Sequence, residues 1–166
     1  MKQQEINALL QEVISECKAI HIPVSNDISP DIFINKRAKS RFGACRRTKS
    51  GFVIELCQLV LETDTNNIKN IIAHELLHTC RGCYNHGIRW KSYAEKMNQT
   101  YGYNITTTTS YEKMGLKKPE KKIRYKYLIQ CQKCGKQIYR QKKSKLITNT
   151  NRYRCTCGGK LMVKEL

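Results

Sequence analysis

No stretch of this 166-residue chain approaches the roughly 18 consecutive apolar residues that a membrane-spanning helix needs. The opening MKQQEINALL lacks the basic-then-apolar layout of a secretory signal. No internal repeat is present, which sets aside repeat architectures. Acidic residues are scarce, with 13 Asp/Glu against 31 Lys/Arg and a net charge of +18. Histidine is scarcer still, at four residues. These absences predict a protein without membrane attachment, a monomer in the cytoplasm (at the nucleoid, or in the nucleus of a eukaryote), where thiols stay reduced. Nine cysteines then read as metal ligands and buried thiols, not as a disulfide framework.

What is present is unevenly spread. Residues 1–110 carry 14 Lys/Arg and 10 Asp/Glu, a net of +4, whereas residues 111–166 carry 17 and 3, a net of +14. The last third is therefore the part that seeks a polyanion, with plain solubility as the rival explanation. The length fits one small domain plus a smaller module, and a hydrophobic fraction of 40% allows a modest core.

Along the chain, Ile6, Leu9, Leu10, Val13, Ile14 and Cys17 recur at helical spacing, predicting a helix over about 3–20. HIPVSNDISPD reads as a loop, with His21 on the surface. DIFIN, SRFGACRR and GFVIELC read as strands, the last two joined as a hairpin by the turn residues TKSG. In the third strand Phe52, Ile54 and Leu56 face one side and Val53, Glu55 and Cys57 the other. Cys45 and Cys57 are read as small core residues. ETDTNNIKNIIAHELLHT is a predicted central helix with Asp64, Thr65 or Asn66 as its cap. IRWKSYAEKMN is a second helix. The aperiodic stretch that follows, and the lysines after it, read as a domain edge and a basic linker. RYKYLI and RYRC are the strand-like runs of the tail. The fold class is α+β: helices on a short antiparallel sheet over 1–110, a linker over 111–124 and a small β module over 125–166.

Three of the four histidines lie in IIAHELLHTCRGCYNHGIRW. Residues four apart share a helix face, so His74 and His78 can reach one metal ion. Glu75 is one residue round from His74, where it can meet a water activated by that metal without ligating it. Zinc in such a site polarises a carbonyl and lowers the water's pKa, and Glu75 would carry the proton to the leaving amine, which is the chemistry of peptide-bond hydrolysis. The third ligand must come from beyond the helix. Arg81 and Tyr84 stand where a metzincin continues with glycine and histidine, so that pattern does not fit. His86 reaches the metal if the chain turns near Gly82; Glu95, the gluzincin-type solution, and Cys83 are its rivals. Tyr84, Tyr93 and Tyr101 are candidates to stabilise an oxyanion.

The tail holds Cys131 and Cys134 in CQKCGK, and Cys155 and Cys157 in CTCGGKL. This is zinc-ribbon spacing, with the departure that the second knuckle is C-x-C. A structural zinc is expected there, since so small a module could scarcely fold without one. Lys121, Lys122, Arg124, Lys126, Arg140, Lys142, Lys143, Lys145, Arg152 and Arg154 are the candidate phosphate contacts on nucleic acid. Tyr125, Tyr127, Tyr139 and Tyr153 are either stacking platforms for unpaired bases or strand-packing residues.

HELLH followed by HGIRW, preceded by NKRAKSRFGACRR, resembles the SprT-like metalloproteases, the group that includes Spartan. The resemblance covers most of residues 1–110, and members of the group commonly carry a zinc ribbon after the protease domain. It implies a small zincin domain with His74, His78 and His86 as zinc ligands, Glu75 as the catalytic residue and Trp90 as a packing residue that sets the second helix. In the Spartan branch it also implies DNA binding by the ribbon region, and hence cleavage of proteins bound or crosslinked to DNA. A nucleic-acid-binding zinc protein with an idle HExxH scaffold is the alternative.

Overall fold

In a computed structural model, which describes residues 1–119 and 123–166, the amphipathic repeat near the N-terminus is helix α1, Gln3–Ala19. Ile6, Leu10, Val13 and Cys17 form its buried stripe, and the Glu5 carboxylate accepts from the Lys2 backbone N–H at 2.8 Å to close its first turn. Three strands follow: β1 Phe33–Asn35, β2 Gly43–Thr48 and β3 Gly51–Cys57. They form one sheet in the order β1-β3-β2, with β1 parallel and β2 antiparallel to β3. The hairpin expected from TKSG is present, its register closing at Thr48 opposite Gly51.

The central strand β3 is covered on both faces. Ile54, Glu55, Leu56 and Cys57 are each at most 1% exposed, so the alternation read from sequence does not separate a core face from a solvent face here. Burial obliges Glu55 to find partners. Its carboxylate accepts from Asn35 Nδ2 at 2.6 Å and Arg41 Nη2 at 2.8 Å, and it contacts the Arg46 guanidinium.

Helix α2, Thr65–Leu77, begins at Asp64, whose side chain accepts from the Asn67 N–H at 2.7 Å. Ile68, Ile72, Leu76 and Leu77 are fully buried, which makes α2 the core helix. Helix α3, Ile88–Tyr101, is closed by Gly102. The chain then returns over the core: Ile105 and Met114 are buried, and Tyr111 and Leu116 pack against them. Residues 111–116, read from sequence as linker, are thus part of the first compact unit, Met1–Pro119.

The second unit, Glu120–Leu166, holds a separate antiparallel sheet of β4 Tyr127–Cys131, β5 Gln137–Arg140 and β6 Leu161–Glu165 in the order β5-β4-β6, with a one-turn helix α4 at Lys145–Thr148. RYRC is not a strand. It follows a 3-10 turn at Thr150–Arg152 and makes only an isolated bridge, Arg154 to Lys160, because the chain must bend there into the second cysteine knuckle. Among the described residues of this unit, Ile129 and Cys131 are the only buried hydrophobic side chains. So little apolar burial cannot offset the entropy of ordering the chain. No described helix is long and apolar enough to cross a membrane.

Arg41 and Arg46 are about half exposed while Glu55 is buried, so the cost of breaking their cluster depends on which partner goes. Replacing both arginines by alanine strands a buried carboxylate and should cost about 3 kcal/mol or more of unfolding free energy. Glu55→Gln should cost less, since the two arginines retain water. Urea unfolding followed by fluorescence of Trp90, the one tryptophan, measures both; a larger loss for Glu55→Gln would contradict the account.

Candidate metal centres

His74 and His78 stand one turn apart at the end of α2, their ring centroids 5.2 Å from each other. Each is oriented by a backbone carbonyl: His74 Nδ1 lies 3.0 Å from Thr106 O, and His78 Nδ1 lies 2.7 Å from Cys83 O. A carbonyl can only accept, so both Nδ1 atoms carry the proton and both Nε2 lone pairs are left free. After His78 the chain reverses through Gly82, whose φ of +80° lies in the left-handed region. The reversal sets the Cys83 carbonyl against His78 and returns His86, whose Nε2 lies 3.0 Å from His74 Nε2.

One nitrogen from each of the three rings falls within 4.8 Å of the others. The 3.0 Å between His74 Nε2 and His86 Nε2 suits two ligands of a single ion with Zn–N distances of about 2 Å. Burial, then His78 and His86, lower the pKa of His74 to about 4. Burial, His78 and Lys91 lower that of His86. His74 and His86 therefore resist protons and present neutral nitrogens, which are the ligating form. The residues therefore fit zinc on donor type, tautomer and spacing, and three protein ligands leave a fourth position open. Trp90, 1% exposed, packs on all three imidazoles, with centroid separations of 4.8, 5.7 and 4.5 Å to His74, His78 and His86.

The rival ligands lie elsewhere. Glu95 is exposed on α3, its carboxylate accepting from Gln99 Nε2 at 2.8 Å. Cys83 contributes its carbonyl to His78. The Cys80 thiol is buried and pushed up to about 12, first by burial and then by Cys83, Cys17 and Cys45.

Glu75, 8% exposed, sits beside β2. A methyl group on Gly43 would come within 2.7 Å of Glu75 Oε1 and 2.8 Å of Ile71 Cγ2, so the close approach of strand to helix needs glycine there. Burial lifts the Glu75 carboxyl to about 7, against the pull of the Cys45 backbone N–H and Arg41. Glu75 and His78 line a cleft of about 300 Å³ together with Cys45, Arg47, Phe52 and Tyr84. Cys45, read from sequence as core, is instead half-buried and on the cleft wall, because strand alternation turns it to the face that α2 approaches. Cys57 is buried and donates its S–H to Ala38 O at 3.0 Å. Of the three tyrosines considered, Tyr84 lines the cleft, Tyr93 packs on the core and Tyr101 bonds the Glu16 carbonyl.

In the second unit the sulfurs of Cys131, Cys134, Cys155 and Cys157 lie within 4.8 Å of one another. Cys131 and Cys157 are 3.5 Å apart, and Cys134 and Cys155 are 3.6 Å apart. The C-x-C knuckle does not prevent convergence. Tetrahedral thiolates around zinc at about 2.3 Å need this spacing. The backbone N–H groups of Lys133 and Cys134 point at Cys131 Sγ from 3.4 and 3.5 Å. That of Cys134 leads the causes lowering the Cys131 pKa, and that of Cys157 leads those bringing Cys155 to about 6. Thiolate is thus favoured at Cys131 and Cys155, whereas Cys157, against the pull of the Gly159 backbone N–H, is pushed up to about 12 by Cys134 and Cys131. Arg124, Lys126, Arg140, Lys142, Lys143, Lys145, Arg152 and Arg154 are all exposed; Lys121 and Lys122 lie outside the described residues. Tyr125 and Tyr139 pair at 5.3 Å with each about 45% exposed, and Tyr153 is also exposed.

Compared with protein-family models, residues 10–109 match the SprT-like family, 100 of the chain's 166 residues. No curated protein matches the chain.

Two separate donor sets predict about two zinc ions per chain by elemental analysis. His86→Ala should remove one and Cys131→Ser the other, whereas Glu95→Gln should remove neither. A wild-type content of one would eliminate one of the two sites.

Proposed function

The chain belongs to the SprT-like family, and from that membership and the three-histidine group we infer that it is a zinc-dependent endopeptidase acting on proteins bound or crosslinked to DNA. The observation that carries the peptidase reading is the convergence of three imidazole nitrogens beside a buried glutamate in an open cleft. Zinc held by His74, His78 and His86 would supply Lewis acidity, polarising the scissile carbonyl and making water a stronger nucleophile near neutral pH. The chain's own residues do the rest. Glu75 takes the proton of the attacking water on its carboxylate and delivers it to the nitrogen of the leaving amine. Gly43 leaves the space in which that carboxylate sits. The carbonyls of Thr106 and Cys83 hold the His74 and His78 rings in one tautomer. Tyr84 lines the cleft, which makes it the candidate among the three tyrosines for oxyanion stabilisation.

The DNA reading rests on the second unit. Among the described residues there, the exposed cations include Arg124, Lys126, Arg140, Lys142, Lys143, Lys145, Arg152 and Arg154. The same unit holds a four-cysteine group suited to a structural zinc. Phosphate contacts of this kind release counterions, so affinity falls steeply with salt. The paired rings of Tyr125 and Tyr139 offer apolar faces on which unpaired bases can stack. Tethering to DNA would raise the local concentration of substrate without any new contact in the cleft.

Glu75→Gln keeps shape and hydrogen-bonding capacity but removes the proton carrier. Zinc content and DNA affinity should be unchanged, while cleavage of a DNA-bound protein falls by a factor on the order of 10²–10⁴. Gly43→Ala should also lower cleavage with zinc retained, because the added methyl displaces the carboxylate. Removing residues 120–166 should abolish salt-dependent DNA binding yet leave cleavage of a flexible peptide at high concentration. Undiminished cleavage by Glu75→Gln would refute the peptidase and leave the idle-scaffold alternative. Equal DNA affinity in the shortened chain would refute the tether.

A further inference from the structure

Arg46 and Arg47 are neighbours in β2, and the two-residue period of a strand sends them to opposite faces of the sheet. Arg46 lies opposite Val53, on the face shared with Ala44 and Glu55, and its guanidinium meets the Glu55 carboxylate. Arg47 lies opposite Phe52, on the face shared with Cys45. Cys45, Arg47 and Phe52 form one wall of the cleft lined by Glu75, His78 and Tyr84. Arg47 is exposed and makes no ion pair among the described residues. Glu75 is the one carboxylate lining the cleft. The surrounding segment reinforces the field: residues 36–49 carry seven Lys/Arg and no Asp/Glu.

We propose that Arg47 is a specificity-determining residue, which makes the cleft select peptide segments carrying an Asp or Glu side chain next to the bond presented to Glu75. The proposal rests on the peptidase reading above. A guanidinium with no ion pair among the described residues, beside the rings of Phe52 and Tyr84, meets a carboxylate with two parallel N–H donors. A Lys or Arg side chain in the same place meets like charge. A peptide fits better than a phosphodiester strand, because the cleft takes one or two side chains by volume and its floor carries the Glu75 carboxylate, which repels a polyanion.

The test uses the full-length zinc-loaded chain and a peptide series that differs only in one residue, Glu, Gln or Lys, moved through the positions flanking the cleaved bond. At one position, wild type should cleave the Glu peptide with kcat/KM about tenfold above the Lys peptide, the scale of one charge-assisted contact. Arg47→Ala should erase that ratio and Arg47→Glu should invert it, and the preference should shrink with salt. Fluorescence anisotropy of the same peptides on zinc-loaded Glu75→Gln, with and without Arg47→Ala, reads the subsite independently of turnover. Equal kcat/KM and equal affinity for Glu and Lys peptides in wild type would overturn the proposal while leaving the peptidase standing. Cleavage of no peptide would refute the peptidase reading, and the anisotropy ratio would then decide the subsite alone. Arg47-dependent affinity for a short oligonucleotide, with no Arg47-dependent peptide preference, would assign the arginine to nucleic acid and overturn the proposal.

Discussion

Three imidazoles whose ring nitrogens converge within 4.8 Å of one another crowd a single point, and the first unit is organised to hold them there. His74 Nε2 and His86 Nε2 are only 3.0 Å apart. Hydrogen bonds at the far side of the rings fix which nitrogen is bare, and Trp90 closes off the flank. The rigidity comes from α2, whose apolar circumference is buried by α1, the sheet and the returning chain. Even the support for His74 is layered. Thr106 is in position because Asn98 bonds both the N–H and the carbonyl of Ile105, and because Asn70 accepts from the N–H of Asn104. A segment without regular structure is thereby pinned at three points.

The second unit solves a different problem with a similar device. It buries almost nothing apolar, with Ile129 and Cys131 alone below the surface among its described residues. Its four sulfurs take the place of a core, and the backbone N–H groups aimed at Cys131 favour its thiolate. Freed from burying apolar faces, the remaining surface is open to cations and tyrosines. High positive charge would strain a larger hydrophobic fold through self-repulsion. A small fold closed by metal tolerates it, because ligation does not depend on what the surface carries.

Much of this was legible in the residues, and the illegible parts share a cause. The helices came from period and capping: Asp64 was one of three expected caps and is the one used. The hairpin came from TKSG, the His74–His78 pair and the cysteine knuckles from spacing, and His86 over its rivals from the family resemblance. What spacing could not supply was anything dependent on the return of the chain. The 111–116 stretch has no periodicity, yet Tyr111, Met114 and Leu116 cover the core. Cys45 reads as a small apolar residue until β2 is seen to pass within contact of Glu75. RYRC has strand propensity, but the knuckle geometry overrides it. The alternation in β3 marks one face as apolar, whereas burial of both faces gives Glu55 three partners that no local pattern announces.

The groups that orient His74 and His78 are main-chain oxygens, those of Thr106 and Cys83. No amino-acid replacement deletes a carbonyl. The identities of residues 83 and 106 are therefore unconstrained by this duty, and a survey that truncates side chains one at a time will register neither. Its signal will fall one step away, on Asn98 and Asn70, whose amides hold the backbone that carries the Thr106 oxygen, and on Gly82, whose left-handed turn aims the Cys83 one. In such a map the histidines will seem to be supported by two asparagines and a glycine that touch none of them.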